Sequence, residues 1–366
     1  MVRISVFVEY NVMGRFMNNV SAIDLFCGVG GLTHGLIRAG IPVNAGIDID
    51  ESCLFAYEKN NKSMFINKDI TKLTKDDIEK LYGNDNIKIL VGCAPCQCFS
   101  KHTQKNKDRK KDKKWKLLYP FSKLVASVGP DIVSMENVAE IQKHRVFKDF
   151  VKNLEAEGYF VFRTVVYCPD YGIPQNRRRL VLLASKLGEI GIIPKTHSPF
   201  RYRTVRSAIG KLETIKDGAI SLKDPLHRSW NLSPINKKRI RQSLPGGTWH
   251  DWDEKLCCQC HRKNSGQTYS AVYGRMCWDK PAPTITTQFY SYGTGRFGHP
   301  TQNRALSLRE GALLQTFPKY YDFIDPKQPI SFSSIGTHIG NAVPVRLGVI
   351  IGRSIKKHIK DYNEKK

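Results

Sequence analysis

Between residues 22 and 185 the chain alternates short apolar runs rich in β-branched residues with stretches of helical period, and that alternation limits its fold more than any other feature. AIDLF (22–26), VNAGIDI (43–49), IKILVG (87–92), DIVSME (131–136), FVFRTVVY (160–167) and RLVLLAS (179–185) read as strands. GGLTHGLIRAG (30–40), SCLFAYEKN (52–60), LLYPFSKLVASV (117–128) and HRVFKDFVKNLEAEG (144–158) repeat their apolar residues at helix spacing. Strands alternating with helices specify an α/β fold with a doubly wound, mostly parallel sheet covered on both faces, over roughly residues 20–190.

The pattern then breaks. From about residue 193 to 305 the chain is rich in Pro, Gly, Ser and Arg without a sustained period, as in SPFRYR, SLPGGTWHDW and SYGTGRFGHP. A second, smaller domain of irregular or β structure is expected there. Helical sequence returns at SLREGALLQTF (307–317) and PVRLGVIIGRSIKKHIK (344–360).

The net charge of +25 is unevenly placed. Residues 98–117 hold nine basic and two acidic side chains, and residues 195–306 hold nineteen and seven, so these two segments supply 19 of the 25 charges. Such clustering is the footprint of a polyanion, because each neutralised phosphate releases condensed counterions. No apolar run approaches the roughly 20 residues of a membrane span, and residues 1–19 lack a secretory apolar core. An intracellular, cytoplasmic protein is expected, its ten cysteines reduced rather than paired.

The chemistry-bearing residues gather at strand ends. DLFCGVGG (24–31) closes the first strand with a glycine turn that opens a helix, where backbone N–H groups are free to meet a ligand. Asp48 ends the next strand, and Asp69 follows the third apolar run, so an adenosine-type cofactor is expected at this edge. The run KILVGCAPCQCFSKH (88–102) ends in Cys93, Cys96 and Cys98. A redox pair, a metal site and a nucleophile all have to be weighed. Cys93 reads as a packing cysteine on the strand, whereas Cys96, beyond Pro95, faces a cleft where a thiolate can attack. SMENV (134–138) brings Glu136 to the same edge, and QNRRR (175–179) precedes the last strand with a fixed guanidinium.

DLFCGVGG, APCQCFS, ENV, QNRRR and GNAVP, in this order, resemble the DNA (cytosine-5)-methyltransferase family of the bacterial restriction–modification type, and PAPTITTQF and GRFGHPTQNRALSLREGALLQTFP extend the likeness over about residues 21–350. The resemblance implies a Rossmann-like S-adenosylmethionine-dependent methyltransferase. Its partition is an N-terminal extension (1–19), a catalytic and cofactor-binding domain (20–192), a target-recognition domain with hinge (193–334) and a returning C-terminal segment (335–366). Cys96 is then the nucleophile that attacks carbon 6 of a flipped-out cytosine. Glu136 holds the ring nitrogen and amino group, Arg179 the carbonyl, and Arg177 supports the adduct. S-adenosyl-L-methionine would meet Phe26 at the adenine, Asp48 at the ribose and Asp69 at the adenine amino group. Gly28, Gly30 and Asn341 would approach the methionine end, with Ile49, Ile70, Pro95 and Val343 completing the contacts. Ile49 departs from the family, which often has an aromatic after the ribose carboxylate. Gln97, Ser100, Lys101, Arg109, Lys113 and Thr286 would touch DNA.

The expected partners are double-stranded DNA and a cognate restriction endonuclease, with the protein itself a monomer and no membrane involved. A transfer-RNA methyltransferase of the same family and a DNA-binding regulator with a dead site are the rival readings. The recognition region's length opposes the first, and the joint presence of Cys96, Glu136, Arg177 and Arg179 opposes the second. Cys257, Cys258, Cys260, His261 and Cys277 have a spacing suggestive of zinc, but the second half is a single cysteine. Reduced packing cysteines, and no metal, are the expectation.

Overall fold

The structure is a computed structural model and describes residues 19–84, 87–95, 116–263, 266 and 270–366. The chain divides into two compact units, the first formed by residues 1–166, 178–194 and 347–366 and the second by 167–177 and 195–346. Residues 167–177 and 335–346, which the sequence partition gives to the catalytic domain and the C-terminal segment, cluster with the second unit.

The first unit is built on a seven-stranded sheet. Its strands are β1 (Val20–Leu25), β2 (Val43–Asp48), β3 (Met64–Asn67), β4 (Ile87–Gly92), β5 (Ile132–Asn137), β6 (Phe160–Tyr167) and, after a two-residue β7 (Gln175–Asn176) outside this sheet, β8 (Arg178–Ser185). The spatial order is β3-β2-β1-β4-β5-β8-β6. The pairs among β3, β2, β1, β4 and β5 are parallel, and β8 runs antiparallel to β5. The chain winds outward from β1 to β3, then returns to β4 on the other side of β1. The carboxyl ends of β1 and β4 therefore flank the point where the winding reverses, which is where a parallel sheet opens a crevice.

All six residues of β1 are buried, as are all six of β5, because helices cover both faces. One face packs Ile23, Leu25, Leu90, Val133, Met135 and Leu182 against helices α3 (Lys75–Tyr82), α4 (Leu118–Val128) and α5 (Arg145–Ala156), with the Phe121 and Phe150 rings 5.4 Å apart. The earlier helices are α1 (Gly31–Ala39) and α2 (Leu54–Asn60). The sequence pattern missed α3, whose few apolar residues conceal it; a capping box between Thr74 and Asp77 starts it.

Ser185 alternates with the core residues Leu182 and Ala184 and so points to the opposite face. There its hydroxyl meets His358 Nε2 at 2.8 Å on the last helix, Val345–Asn363. That helix lies hard against α1. A Cβ on Gly348 would fall 2.9 Å from the Leu32 carbonyl oxygen, and one on Gly352 would fall 2.6 Å from the Ala39 Cβ, so only glycine permits this approach.

The second unit has little regular structure among its described residues. It contains helices α6 (Val205–Ile209), α7 (Pro234–Gln242), α8 (Gln259–Arg262), α9 (Leu308–Leu314) and α10 (Phe332–Asn341), making the last helix α11, and β7 pairs in parallel with β9 (Ala282–Pro283). An irregular fold has many carbonyls that no ladder satisfies. Buried arginines fill that role: Arg275 donates to the carbonyls of Ile240, Ser243, His299 and Gln302. Arg304 forks onto Glu310 at 2.6 and 2.7 Å while Glu310 also completes the Ser307 capping box of α9. Two of the nineteen basic residues counted toward a polyanion surface are thus structural and enclosed.

Candidate active site

The crevice in the first unit collects residues from five strand ends. Phe26 follows β1 at φ 59°, a left-handed conformation that costs a non-glycine residue energy and marks a constrained site. Gly28 and Gly30 continue the turn at φ 50° and 83° and lead into α1. The Gly28 N–H donates to Asp48 Oδ2 at 2.8 Å, and the Asp50 N–H donates to Asp48 Oδ1 at 3.0 Å, so the carboxylate at the end of β2 is fixed against the glycine turn. Ile49 beside it is 69% exposed, an apolar surface with nothing of the described chain over it. Asp69 Oδ1 accepts the backbone and hydroxyl donors of Thr71, which holds its carboxyl below the usual range, and Ile70 next to it is buried.

At the other side of the reversal, Glu136 near the end of β5 is 2% exposed. Parallel register pairs Gly92 with Met135, which sets residue 93 beside residue 136. The Cys93 thiol accordingly donates to Glu136 Oε2 at 2.9 Å. Cys93 thus lies one residue past β4, half-buried and engaged with the key carboxylate, not packed within the strand as expected. Arg179 Nε stands 3.1 Å from Glu136 Oε1 as an ion pair, yet Oε1 receives no aligned hydrogen bond from the described residues. A buried carboxylate oxygen in that condition is a docking point for an incoming N–H. Asn137 Nδ2 donates to the Ala94 carbonyl at 3.0 Å, tying the end of β5 to the segment that reaches Pro95.

Cys96, Gln97, Ser100, Lys101, Arg109 and Lys113 lie outside the described residues. Arg177, Thr286, Asn341 and Val343 belong to the second unit. There Arg177 is buried with Nη1 3.4 Å from the Ile285 carbonyl. Gln175 accepts from the Ile285 N–H at 2.9 Å and donates to Gln315. Thr286 is exposed next to that anchor, Asn341 ends α10, and Val343 is buried after it.

Two residues escaped the sequence reading. Strand parity beyond Gly92 signals the Cys93–Glu136 contact once β4 and β5 are neighbours. Asp24, within the glycine motif itself, is 1% exposed; burial pushes its carboxyl up to about 7, Thr33 opposing and nearby Asp48 reinforcing. Nothing in the sequence separates such a carboxyl from a solvated one.

Among solved structures with this course of chain, a candidate DNA modification methyltransferase encoded within an Escherichia coli prophage has a TM-score of 0.70 at 21% identity, covering 93% of this chain and 99% of that one. A Spodoptera frugiperda DNMT2 variant has a TM-score of 0.62 at 16% identity, with 93% and 99% coverage. The fold class is that of the Rossmann-like methyltransferases. Within it the chain belongs to the C-5 cytosine-specific DNA methylases, whose family model matches residues 20–357, and its activity is DNA (cytosine-5)-methylation. It sorts with bacterial restriction–modification methylases: it is 54% identical to the Type II methylase M.HgiDII of Herpetosiphon aurantiacus over 94% of this chain and 97% of that protein. Identity to the Type II methyltransferase M1.BsuMI of Bacillus subtilis is 32%, covering 91% and 79%.

Proposed function

We propose that the protein transfers a methyl group from S-adenosyl-L-methionine to carbon 5 of a cytosine flipped out of duplex DNA, through a covalent Cys96 adduct at one recognition sequence. The observation that carries the reading is Glu136: a buried carboxylate on the crevice, gripped on one oxygen by Cys93, its other oxygen facing Arg179 but receiving no aligned hydrogen bond among the described residues.

The residues present fit the methyl donor. Phe26 and exposed Ile49 offer an apolar cradle for adenine, Asp48 keeps lone pairs for ribose hydroxyls beyond those given to Gly28 and Asp50, and Asp69 can accept from the adenine amino group. Gly28 and Gly30, lacking side chains, let the methionine end approach, with Pro95, Ile70, Asn341 and Val343 as the remaining contacts. Bound S-adenosyl-L-methionine supplies an electrophilic methyl group.

Cytosine carbon 5 is a poor nucleophile until the ring is activated. The Cys96 sulfur anion adds to carbon 6, forming a C–S bond and shifting the ring electrons toward carbon 5. Glu136 binds ring nitrogen 3 and the amino group, holding the proton that balances those electrons, while Arg179 meets the carbonyl oxygen and Arg177 steadies the adduct. After methylation a proton leaves carbon 5, the C–S bond breaks, and Cys96 departs as thiolate. Lys101, Arg109 and Lys113, with Gln97 and Ser100, would grip the backbone around the everted base, repaying a few kcal/mol of unstacking. Residues 20–192 would serve as the catalytic domain, 193–334 with Thr286 as the target-recognition domain and 335–366 as the returning segment. The protein would act as a monomer in the cytoplasm on nucleoid DNA, partnered by an endonuclease of the same specificity. No described helix is long and apolar enough to cross a membrane.

Transfer of labelled methyl from S-adenosyl-L-methionine to duplex DNA should vanish in Cys96→Ala. An oligonucleotide carrying 5-fluorocytosine at the target should remain covalently attached to the wild-type protein. Retained activity in Cys96→Ala, or no conjugate with an oligonucleotide whose unfluorinated form is methylated, would remove the adduct from the mechanism.

A further inference from the structure

In the second unit, Cys258, Cys260 and His261 occupy one short turn, and their two sulfurs and an imidazole nitrogen lie within 4.8 Å of one another. His261 is 5% exposed, and its Nδ1 is buried without a hydrogen-bond partner among the described residues. A buried polar atom in that state is destabilising unless a ligand takes its lone pair or proton. The ring is also held in place. Trp249 stacks on His261 at 4.3 Å between centroids with planes 23° apart, and Tyr273 meets it edge-on at 5.9 Å.

We propose that Cys258, Cys260 and His261 bind one thiophilic divalent cation, zinc in the cell, with water in the fourth position. Two sulfurs and an imidazole nitrogen are the donors that zinc prefers, and the absence of carboxylate from the trio disfavours magnesium and calcium. Binding breaks two S–H bonds, releases two protons to solvent and forms two S–metal bonds, so two thiolates neutralise the dication. The other cysteines of this region stand apart. Cys257 Sγ turns to the carbonyls of Trp249 and Asp253 at 3.9 and 4.0 Å. The Cys277 sulfur lies against Gly246, where an added Cβ would be 2.7 Å from it.

The cation has structural work to do. α8 spans four residues, far too few to be stable alone. The apolar cluster beside it is small, with six buried members among the described residues, Trp249, Trp252 and Tyr292 among them. The metal would fix the conformation of this turn, and His261, stacked on Trp249, links the fixed turn to that small core, in the region whose geometry would position DNA-reading side chains. The methyl-transfer residues take no part, so this site stands or falls independently of them.

Full-length protein, reduced and stripped of metal, is titrated with Co2+ alone. Thiolate-to-cobalt charge-transfer absorption and the visible bands of a tetrahedral site should saturate at one cobalt per chain and be bleached by equimolar Zn2+. Cys258→Ser and Cys260→Ser should each lose charge-transfer intensity, while Cys277→Ser keeps it. Because a serine variant can fail to fold, alkylation by N-ethylmaleimide is followed on the wild-type chain by mass spectrometry. Zinc should slow modification of Cys258 and Cys260 by about tenfold or more and leave Cys257 unchanged. Absence of charge transfer in the wild type, equal bands in both serine variants, or no protection of Cys258 and Cys260 overturns the site.

Discussion

Asp24→Asn tests the electrostatics of the glycine turn most directly. Asp24 sits on the first strand with Oδ2 accepting the Thr33 hydroxyl at 2.7 Å and Oδ1 without a hydrogen-bond partner. Burial raises its pKa from 3.8 to about 7. Below the unfolded value the carboxyl is neutral in both states and costs nothing. As pH rises from there to about 7, the unfolded chain ionises while the folded one keeps its proton, so folding stability falls; above 7 the penalty is constant. One pH unit inside that window is worth about 1.4 kcal/mol, which gives about 3 kcal/mol between pH 5 and 7. Asparagine has the same shape, still accepts from Thr33 and has no proton to lose. Reversible urea unfolding of both proteins, followed by circular dichroism at half-unit steps from pH 5 to 8, isolates the difference because every other titrating group is shared. The variant should gain about 3 kcal/mol on the wild type by pH 7 and gain nothing further by pH 8. A difference that stays flat across the range, or a wild type that becomes relatively more stable as pH rises, would refute the assignment of a neutral buried carboxyl.

Other perturbations follow from the same structure. Glu136→Gln keeps the shape at the crevice but removes the carboxylate, so methyl transfer should fall by at least ~10²-fold while DNA binding in a filter assay persists; near-wild-type turnover would contradict the proposed role. Arg304→Met strands Glu310 in the interior and should cost about 3–5 kcal/mol by chemical denaturation. Arg304 holds the Glu310 carboxyl down to about 2 against its burial, so the stability it contributes is present above 4.5 and is lost as pH falls toward 2; the gap between variant and wild type should shrink over that range. Gly352→Leu would wedge the last helix off α1 and should cost about 1–3 kcal/mol in thermal unfolding, and an unchanged midpoint would show that the two helices are not in register there.

The sheet was legible because each buried strand is a short, mostly apolar run bounded by turn residues, a pattern that length and glycine punctuation both mark. β6 matches its sequence reading residue for residue, and β1, β2, β4, β5 and β8 fall within two residues of theirs. β3, four residues long with only Phe65 buried, carries too little apolar signal to be placed. The helices of the second unit were hidden for a different reason. α7 reads PINKKRIRQ with one buried residue, Ile240, so its polar face swamps the period, and a Ser233 cap starts it. At the crevice, Asp48 and Glu136 could be found because their strand ends are visible in sequence, whereas Asp69 follows the unplaced β3 and takes its role from the family resemblance. The grip of Cys93 on Glu136 needed to know that β4 and β5 are neighbours, and the enclosure of Arg275 and Arg304 needed tertiary packing that no local pattern records.

The seating of α11 on α1 through Gly348 and Gly352 means that the helix behind the glycine turn finds its partner more than three hundred residues downstream. A nascent chain still missing α11 has the turn and the polar ties of α1, Thr33 to Asp24 and His34 to Asn61, but not the helix that covers its glycine-fitted face. Completion of the first unit's packing therefore waits on the codons for α11. Termination before α11 would release a product in which one face of α1 stays uncovered, so such partial products should be prey for cellular proteases and not idle competitors on DNA.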